Sequence, residues 1–135
     1  MPFVLDCSVA MAWLFLDEGN DSTDALREEL VTEHAVVPAL WPIEVGNALL
    51  AATQRGRLSE EDWPRIRDDL AELPIEIDTD SCARVLDRVL PVARDHKLSV
   101  YDATYLELAM RLSLPLATLD RQLAAAARGA GIEVL

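Results

Sequence analysis

Short apolar runs alternate with stretches of helical period along the whole chain, and this alternation limits the fold more than any other feature. Residues 3–6, 35–37, 75–77, 115–119 and 132–135 are too brief for buried helices and rich in Val, Ile and Leu. Between them lie stretches whose apolar residues recur every three or four positions, such as Val45, Ala48, Leu49 and Ala52. Strands apolar on nearly every residue need cover on both faces, and strands separated by helices run parallel. The expected fold is therefore α/β: three layers, with helices on both faces of a central, mostly parallel sheet of four or five strands.

Local signals place the helices. The first is expected over 9–16 with Ser8 as its cap, and the second from Ser22 to about 32. A long helix over 40–53 tolerates Pro42, because a first-turn residue needs no N–H donor. Ser59 and Asp62 form a capping box for a helix that Pro74 ends near 73. Thr79 or Asp80 opens a helix over 81–96, with a kink or break at Pro91. Ser99 precedes a helix over 101–111, and Gly129 and Gly131 end the last one, over 121–128.

The 135 residues make one domain, 1–135, and 51% hydrophobic content supplies a core. No apolar run reaches the ~20 residues that span a bilayer, and the opening lacks a basic start, so cytoplasmic residence without membrane contact is expected. Cys7 and Cys82 are read as small buried groups; with His34 and His96 they reach a zinc site only by long-range assembly. A net charge of −12 disfavours tight duplex binding, yet a bound cation reverses the sign locally.

Four carboxylates stand apart from the rest. Asp6 and Asp120 end strands, while Glu44 and Asp102 fall in first turns of helices. In an open α/β sheet those places share one edge, where ligands bind. Asp68, Asp69, Glu28 and Glu29 instead lie on polar helix faces. Each singled-out acid has a plainer role, as a cap or a partner of a helix dipole. Together at one edge, however, they repel unless a divalent cation holds them, and one ion should touch at least three. The chemistry most often done at such a site is phosphodiester cleavage.

Three segments carry a family resemblance: FVLDCSVAMAWLF, VVPALWPIEVGNALL and LSVYDATYLELAMRLSLPLATLD. In that order and spacing the chain resembles the PIN-domain ribonucleases, most closely the toxins of bacterial VapBC toxin–antitoxin pairs. The resemblance implies that Asp6, Glu44, Asp102 and Asp120 are both metal ligands and catalytic residues. It implies Mg²⁺ as cofactor, with Mn²⁺ as a substitute, and an activated water attacking RNA to leave a 5′-phosphate and a 3′-hydroxyl. Ser8 and Thr118 would orient a ligand acid or water, and Asn47, one turn past Glu44, would sit at the rim. Arg121, Arg111, Arg84 and Arg88, with Arg94, are candidates for phosphate contacts.

The resemblance also implies a homodimer and a cognate VapB-like antitoxin whose C-terminal segment covers the site, an arginine entering the acids. Trp13, Phe15, Leu16 and Trp41 are read as core or as an apolar groove for a partner helix. Other α/β phosphate-handling readings fit less well. Lys97 is the single lysine, and Ser8 stands where a dehalogenase-like phosphatase needs a second aspartate. A PIN-like module that binds RNA or protein without cutting remains the alternative.

Overall fold

The structure, a computed structural model, describes residues 1–15 and 17–135. Four short strands, β1 (Phe3–Leu5), β2 (Ala35–Pro38), β3 (Ile75–Asp78) and β4 (Leu116–Ala117), form one sheet in the order β3-β2-β1-β4. Every pairing is parallel, with Val4 between Val36 and Leu116. The chain steps outward from β1 to β3, then returns to lay β4 on the other side of β1. Strand order thus reverses between β1 and β4, which is where such sheets open a crevice for ligands.

Among the described residues, seven α-helices connect the strands: α1 (Cys7–Leu14), α2 (Asp21–Glu29), α3 (Leu40–Gln54), α4 (Trp63–Ala71), α5 (Leu90–His96), α6 (Val100–Leu112) and α7 (Arg121–Gly129). Helix α6 lies across β1, β2 and β4 with α5 and α7 beside it, whereas α1 packs on α2 and α3. The result is the three-layer α/β/α arrangement expected. Its centre is fully buried: Phe3, Val4 and Leu5 from β1, Tyr105, Leu106 and Leu108 from α6, and Leu116 from β4. Among the described residues, no helix is long and apolar enough to cross a membrane.

Several boundaries differ from the sequence reading, each for a local reason. Asn20, not Ser22, caps α2: its Oδ1 accepts the Thr23 N–H while Thr23 Oγ1 accepts the Asn20 N–H, both at 2.9 Å. Ser8 caps nothing, because its hydroxyl is bound to Asp6. The Ser59–Asp62 box forms as expected but opens a 3₁₀ turn, and α4 follows from Trp63. The helix expected over 81–96 is three pieces: a 3₁₀ turn at Cys82–Arg84, a π turn at Val85–Val89, then α5 with Pro91 in its first turn. Pro91 has no N–H to offer the preceding turn, and the widened π turn absorbs that loss. Neither Thr79 nor Asp80 caps this segment; Asp78 does the work, accepting both the N–H and the hydroxyl of Ser81. The final run is one bridge, Val134 beside Leu116, rather than a strand. Gly131 takes φ +80° there, a left-handed turn that costs a glycine little. The first helix stops at Leu14, and Leu16 lies outside the described residues.

Candidate active site

Asp6 leaves β1 beside the end of β4. Its N–H still pairs with the Ala117 carbonyl (3.0 Å), so its side chain emerges next to that of Thr118. Two hydroxyls donate to the same carboxylate oxygen: Ser8 Oγ and Thr118 Oγ1 each lie 2.7 Å from Asp6 Oδ2. Both hydroxyl oxygens in turn accept backbone donors, Leu119 N–H into Ser8 (3.0 Å) and Asp120 N–H into Thr118 (3.0 Å). This network explains why β4 is only two residues long. The Ser8 hydroxyl from across the crevice and the Thr118 hydroxyl two residues before Asp120 replace the sheet ladder as partners for Leu119 and Asp120.

Asp120 sits at the N-cap of α7, where its Oδ1 accepts the Leu123 N–H at 2.9 Å. Ser99 takes the equivalent role for α6, so the helix cap there is not Asp102, whose carboxylate stays unengaged among the described residues. Glu44, in the first turns of α3, is half-buried and receives the phenol hydroxyl of Tyr105 on Oε1. Tyr105 is fully buried and stands one turn past Asp102 on α6. The sequence reading passed over it. A usable signal existed: a tyrosine inside an apolar helical stripe must find a partner for its hydroxyl.

Charge ties the four acids together. Burial raises the Asp6 carboxyl above its ordinary range; the Ser8 and Thr118 hydroxyls oppose this, and the Asp120 charge adds to it. Glu44 is raised by burial, against the Tyr105 hydroxyl and with the charges of Asp6 and Asp102. Asp102 is raised by burial and by Asp120 and Asp6. The thiol of Cys7 is pushed up to about 12 by burial and then by Asp6 and Glu44, which keeps it inert. Burial and the Glu44 bond also raise the Tyr105 phenol, so it remains a donor.

The expectation that one ion should touch at least three of these acids is not met by the side chains as they stand among the described residues. Among the described residues no three His, Cys, Asp or Glu side chains are gathered as a metal-ligand set. The acids are close enough to perturb one another and too far apart to count as closed around an ion. Mutual repulsion accounts for that spacing, since each carboxylate turns toward a protein donor where one exists. The donor chemistry nevertheless suits a hard divalent cation. It is all oxygen: Asp6 and Glu44 each keep one oxygen without a side-chain partner among the described residues, and Asp120 keeps one that the Leu123 N–H does not occupy.

This electrostatic state predicts a pH dependence. Raised carboxyls make the folded chain bind protons more tightly than the unfolded one, so stability falls as pH climbs above their ordinary values of 3.8 and 4.5. Asp78 works the other way. Burial opposes its ionisation, but Arg111 and Ser81 outweigh burial and lower it, so its contribution is lost as pH falls through the range below 3.8. Melting of the metal-free protein should therefore be highest at about pH 4, between the two opposed sets of shifts, and decline as pH rises from there. A melting series across that range checks it; a rise from pH 5 to 8 would contradict the repulsion.

The remaining candidates separate cleanly. Asn47 is exposed on α3, on the turn after Glu44. Arg121 is exposed at the start of α7, directly after Asp120. Among the described residues Arg121, Arg84 and Arg88 have no ion-pair partner, whereas Arg94 pairs with Asp95. Arg111 differs from the other arginines. All three of its guanidinium nitrogens are spent inside the fold, on Asp78 (2.8 Å), Glu107 (3.0 Å) and Ser81 (3.4 Å), which leaves it a structural ion-pair centre. Cys82 is exposed and Cys7 half-buried, so neither is the fully buried thiol expected. Both histidines are half-buried, with His34 near Glu33 and Glu76.

The apolar groove exists but is built differently from the one expected. Trp13 and Phe15 are core: the Trp13 indole donates to the Thr23 carbonyl, and Arg57 stacks on Phe15 at 4.3 Å. Trp41 does line a groove of about 850 Å³, with Val45, Leu49, Trp63, Leu70 and Ile77, between α3, α4 and β3. Its indole N–H is buried without a partner among the described residues.

Comparison with known proteins decides the family. The PIN domain model matches residues 3–129. The chain belongs to the PIN-domain family. It is 32% identical over 124 residues to Ribonuclease VapC3 of Pyrobaculum aerophilum, covering 92% of this chain and 93% of that one. The crystal structure of PAE2754 from Pyrobaculum aerophilum superposes with TM-score 0.72 at 26% identity, over 99% of this chain and 83% of that one. A toxin–antitoxin complex from Klebsiella pneumoniae shares the fold at TM-score 0.66 and 19% identity, over 98% and 95% of the two chains. This PIN-domain protein is thus closely related to the VapC-type toxins, and its three layers around a parallel sheet are those of that family.

Proposed function

We propose that this PIN-domain protein is a metal-dependent endoribonuclease, the toxin of a toxin–antitoxin pair, hydrolysing phosphodiester bonds of RNA. One observation carries the reading: four acids from β1, α3, α6 and the end of β4 are electrostatically coupled at the strand-order reversal, and one of them is held by two hydroxyls. Asp6, Glu44 and Asp102 would hold Mg²⁺, or Mn²⁺ in its place, and Asp120 would support a second ion or a water. The cation, when bound, neutralises phosphate charge and makes water a competent nucleophile near neutral pH.

The protein's own groups do the rest. Ser8 and Thr118 fix the orientation of Asp6, and their link to the Leu119 and Asp120 amides couples that orientation to the start of α7. Arg121, Arg84 and Arg88 offer positive charge for the RNA backbone on a chain of net charge −12. Asn47 contributes a hydrogen-bonding rim. A VapB-like antitoxin would lay an apolar segment in the groove beside Trp41 and reach the acids with a cationic residue; a homodimer acting in the cytoplasm completes the proposal.

Because a cation binds the folded site and not the open chain, Mn²⁺ at about 100 times its dissociation constant should stabilise by about 2.7 kcal/mol. Melting with and without Mn²⁺, together with cleavage of a panel of structured and single-stranded RNA, tests this. No shift and no cleavage would overturn the nuclease reading. The open spacing of the acids favours a second reading, a PIN-like module that binds RNA or protein without cutting. It expects RNA retention without cleavage at any Mn²⁺ concentration.

A further inference from the structure

We infer that Tyr101 determines which RNA the acid site accepts: its ring stacks on an unpaired base beside the phosphate to be cut, so that single-stranded RNA is taken and duplex is refused. This rests on the proposal that the acids form an RNA-cleaving site.

Exposure singles out this ring. Phe3, Trp13, Phe15, Trp41 and Tyr105 are buried and Trp63 is half-buried, whereas Tyr101 is 64% exposed. One exposed apolar side chain is ordinary in itself. Its place is not. Tyr101 directly precedes Asp102 in the first turn of α6. It also stands four residues before Tyr105, on the same stripe of that helix, and the Tyr105 hydroxyl reaches Glu44 on α3. Helical side chains lean toward the N-terminus of their helix, so Tyr101 leans outward from that buried contact, over the mouth of the crevice.

Two other exposed apolar side chains stand in the same relation to an acid. Ile43 directly precedes Glu44, and Leu119 directly precedes Asp120. Leu119 is held at the crevice by its N–H, which it donates to Ser8. The acids thus have a partly apolar rim, in which Tyr101 supplies the one flat face. A nucleobase is the part of an RNA that fits such a face. In a duplex the bases already stack on their neighbours, so the ring favours an unpaired one. Charge argues the same way. A chain of net charge −12 has little general attraction for phosphate, and stacking adds affinity that does not depend on charge. An apolar protein segment has the larger groove beside Trp41 to fill.

The test compares the full chain with Tyr101→Phe and Tyr101→Leu. A short single-stranded RNA of mixed sequence carrying 2-aminopurine is titrated in EDTA. KM and kcat are read in Mn²⁺ on the best-cut RNA of the panel. Tyr101→Leu should bind about 10-fold more weakly, within the range for loss of one base–aromatic stack. It should raise KM by a similar factor at unchanged kcat and lose the 2-aminopurine quenching that stacking produces. The salt dependence of binding should stay that of the parent, because no phosphate contact is removed. Tyr101→Phe keeps the ring and should behave as the parent, and melting of both variants should be unchanged. Parent-like binding and KM in Tyr101→Leu would overturn the stacking role, leaving the ring free for a protein partner and the nuclease reading intact. Equal losses in both variants would also overturn it, since the hydroxyl and not the ring would then matter. So would equal affinity of the parent for a duplex of the same sequence. A parent that binds and never cuts would remove the nuclease reading alone; one that does neither would remove both.

Discussion

Asp6→Asn should abolish RNA cleavage and, in the same protein, raise the melting temperature of the metal-free form. The two effects have one cause. Asp6 is only 6% exposed, its carboxyl is pushed up by that burial, and the Asp120 charge pushes it further. An asparagine keeps an oxygen to accept from Ser8 and Thr118 while removing the charge. Stability at neutral pH should therefore rise, by about 3 °C or more in a chain of this size. Cleavage should fall at least about 100-fold, because even partners one shell removed from a metal contribute ~10–100-fold. The rise with added Mn²⁺ should disappear too. A structural role for Asp6 predicts the opposite sign in the melting experiment. As the N-cap residue of α1 it makes no side-chain cap bond, so no helix end is lost on substitution. A fall in melting temperature together with retained cleavage would remove Asp6 from the site. Asp102→Asn should behave alike, with a smaller stability gain, since it is only half-buried.

Why the acids were legible from sequence follows from the same chain of causes. A parallel sheet forces its ligand edge to lie where strands end and helices begin, so an acid at those junctions is informative before any contact is known. The alternation of strands and helices was legible because each is short and its apolar period clear, as in Val45, Ala48, Leu49 and Ala52 of α3. What resisted reading was set by side chains reaching across the fold. β4 is two residues, not five, because Ser8, 111 positions away, draws the Leu119 N–H off the ladder and Thr118 turns its own hydroxyl to Asp6. The segment at 81–89 became 3₁₀ and π turns because Asp78 anchors Ser81 at one end and Pro91 withholds a donor at the other. That the Tyr105 hydroxyl needs a partner was legible, but which partner was not, because Glu44 is 61 positions away. The separation of the acids was misjudged for a different reason. Junction positions fix where carboxylates start, while repulsion and local donors decide where they rest.

Arg111 shows how far a basic residue's role depends on distant chain. From sequence it was one arginine among several on a helix, available to phosphate. In the fold its side chain is 16% exposed and sits between Asp78, at 11%, and Glu107, at 8%. One Glu107 oxygen is already buried without a partner, so the guanidinium is the only compensation that carboxylate has among the described residues. Arg111→Leu should consequently cost about 3 kcal/mol, the range for stranding one side of a buried pair. In a domain of this size that lowers melting by about 10 °C. The double variant Arg111→Leu with Glu107→Leu should recover more than half of the loss, because the stranded charge is removed with its partner. Cleavage by the fraction that remains folded should be unchanged. Arg121→Ala should give the reverse pattern: melting within about 0.5 kcal/mol of the parent, as for exposed residues generally, and weaker RNA binding whose salt dependence is reduced. Were Arg111 instead a phosphate contact, its loss would raise the KM for RNA at constant melting temperature, and the Glu107 substitution would rescue nothing.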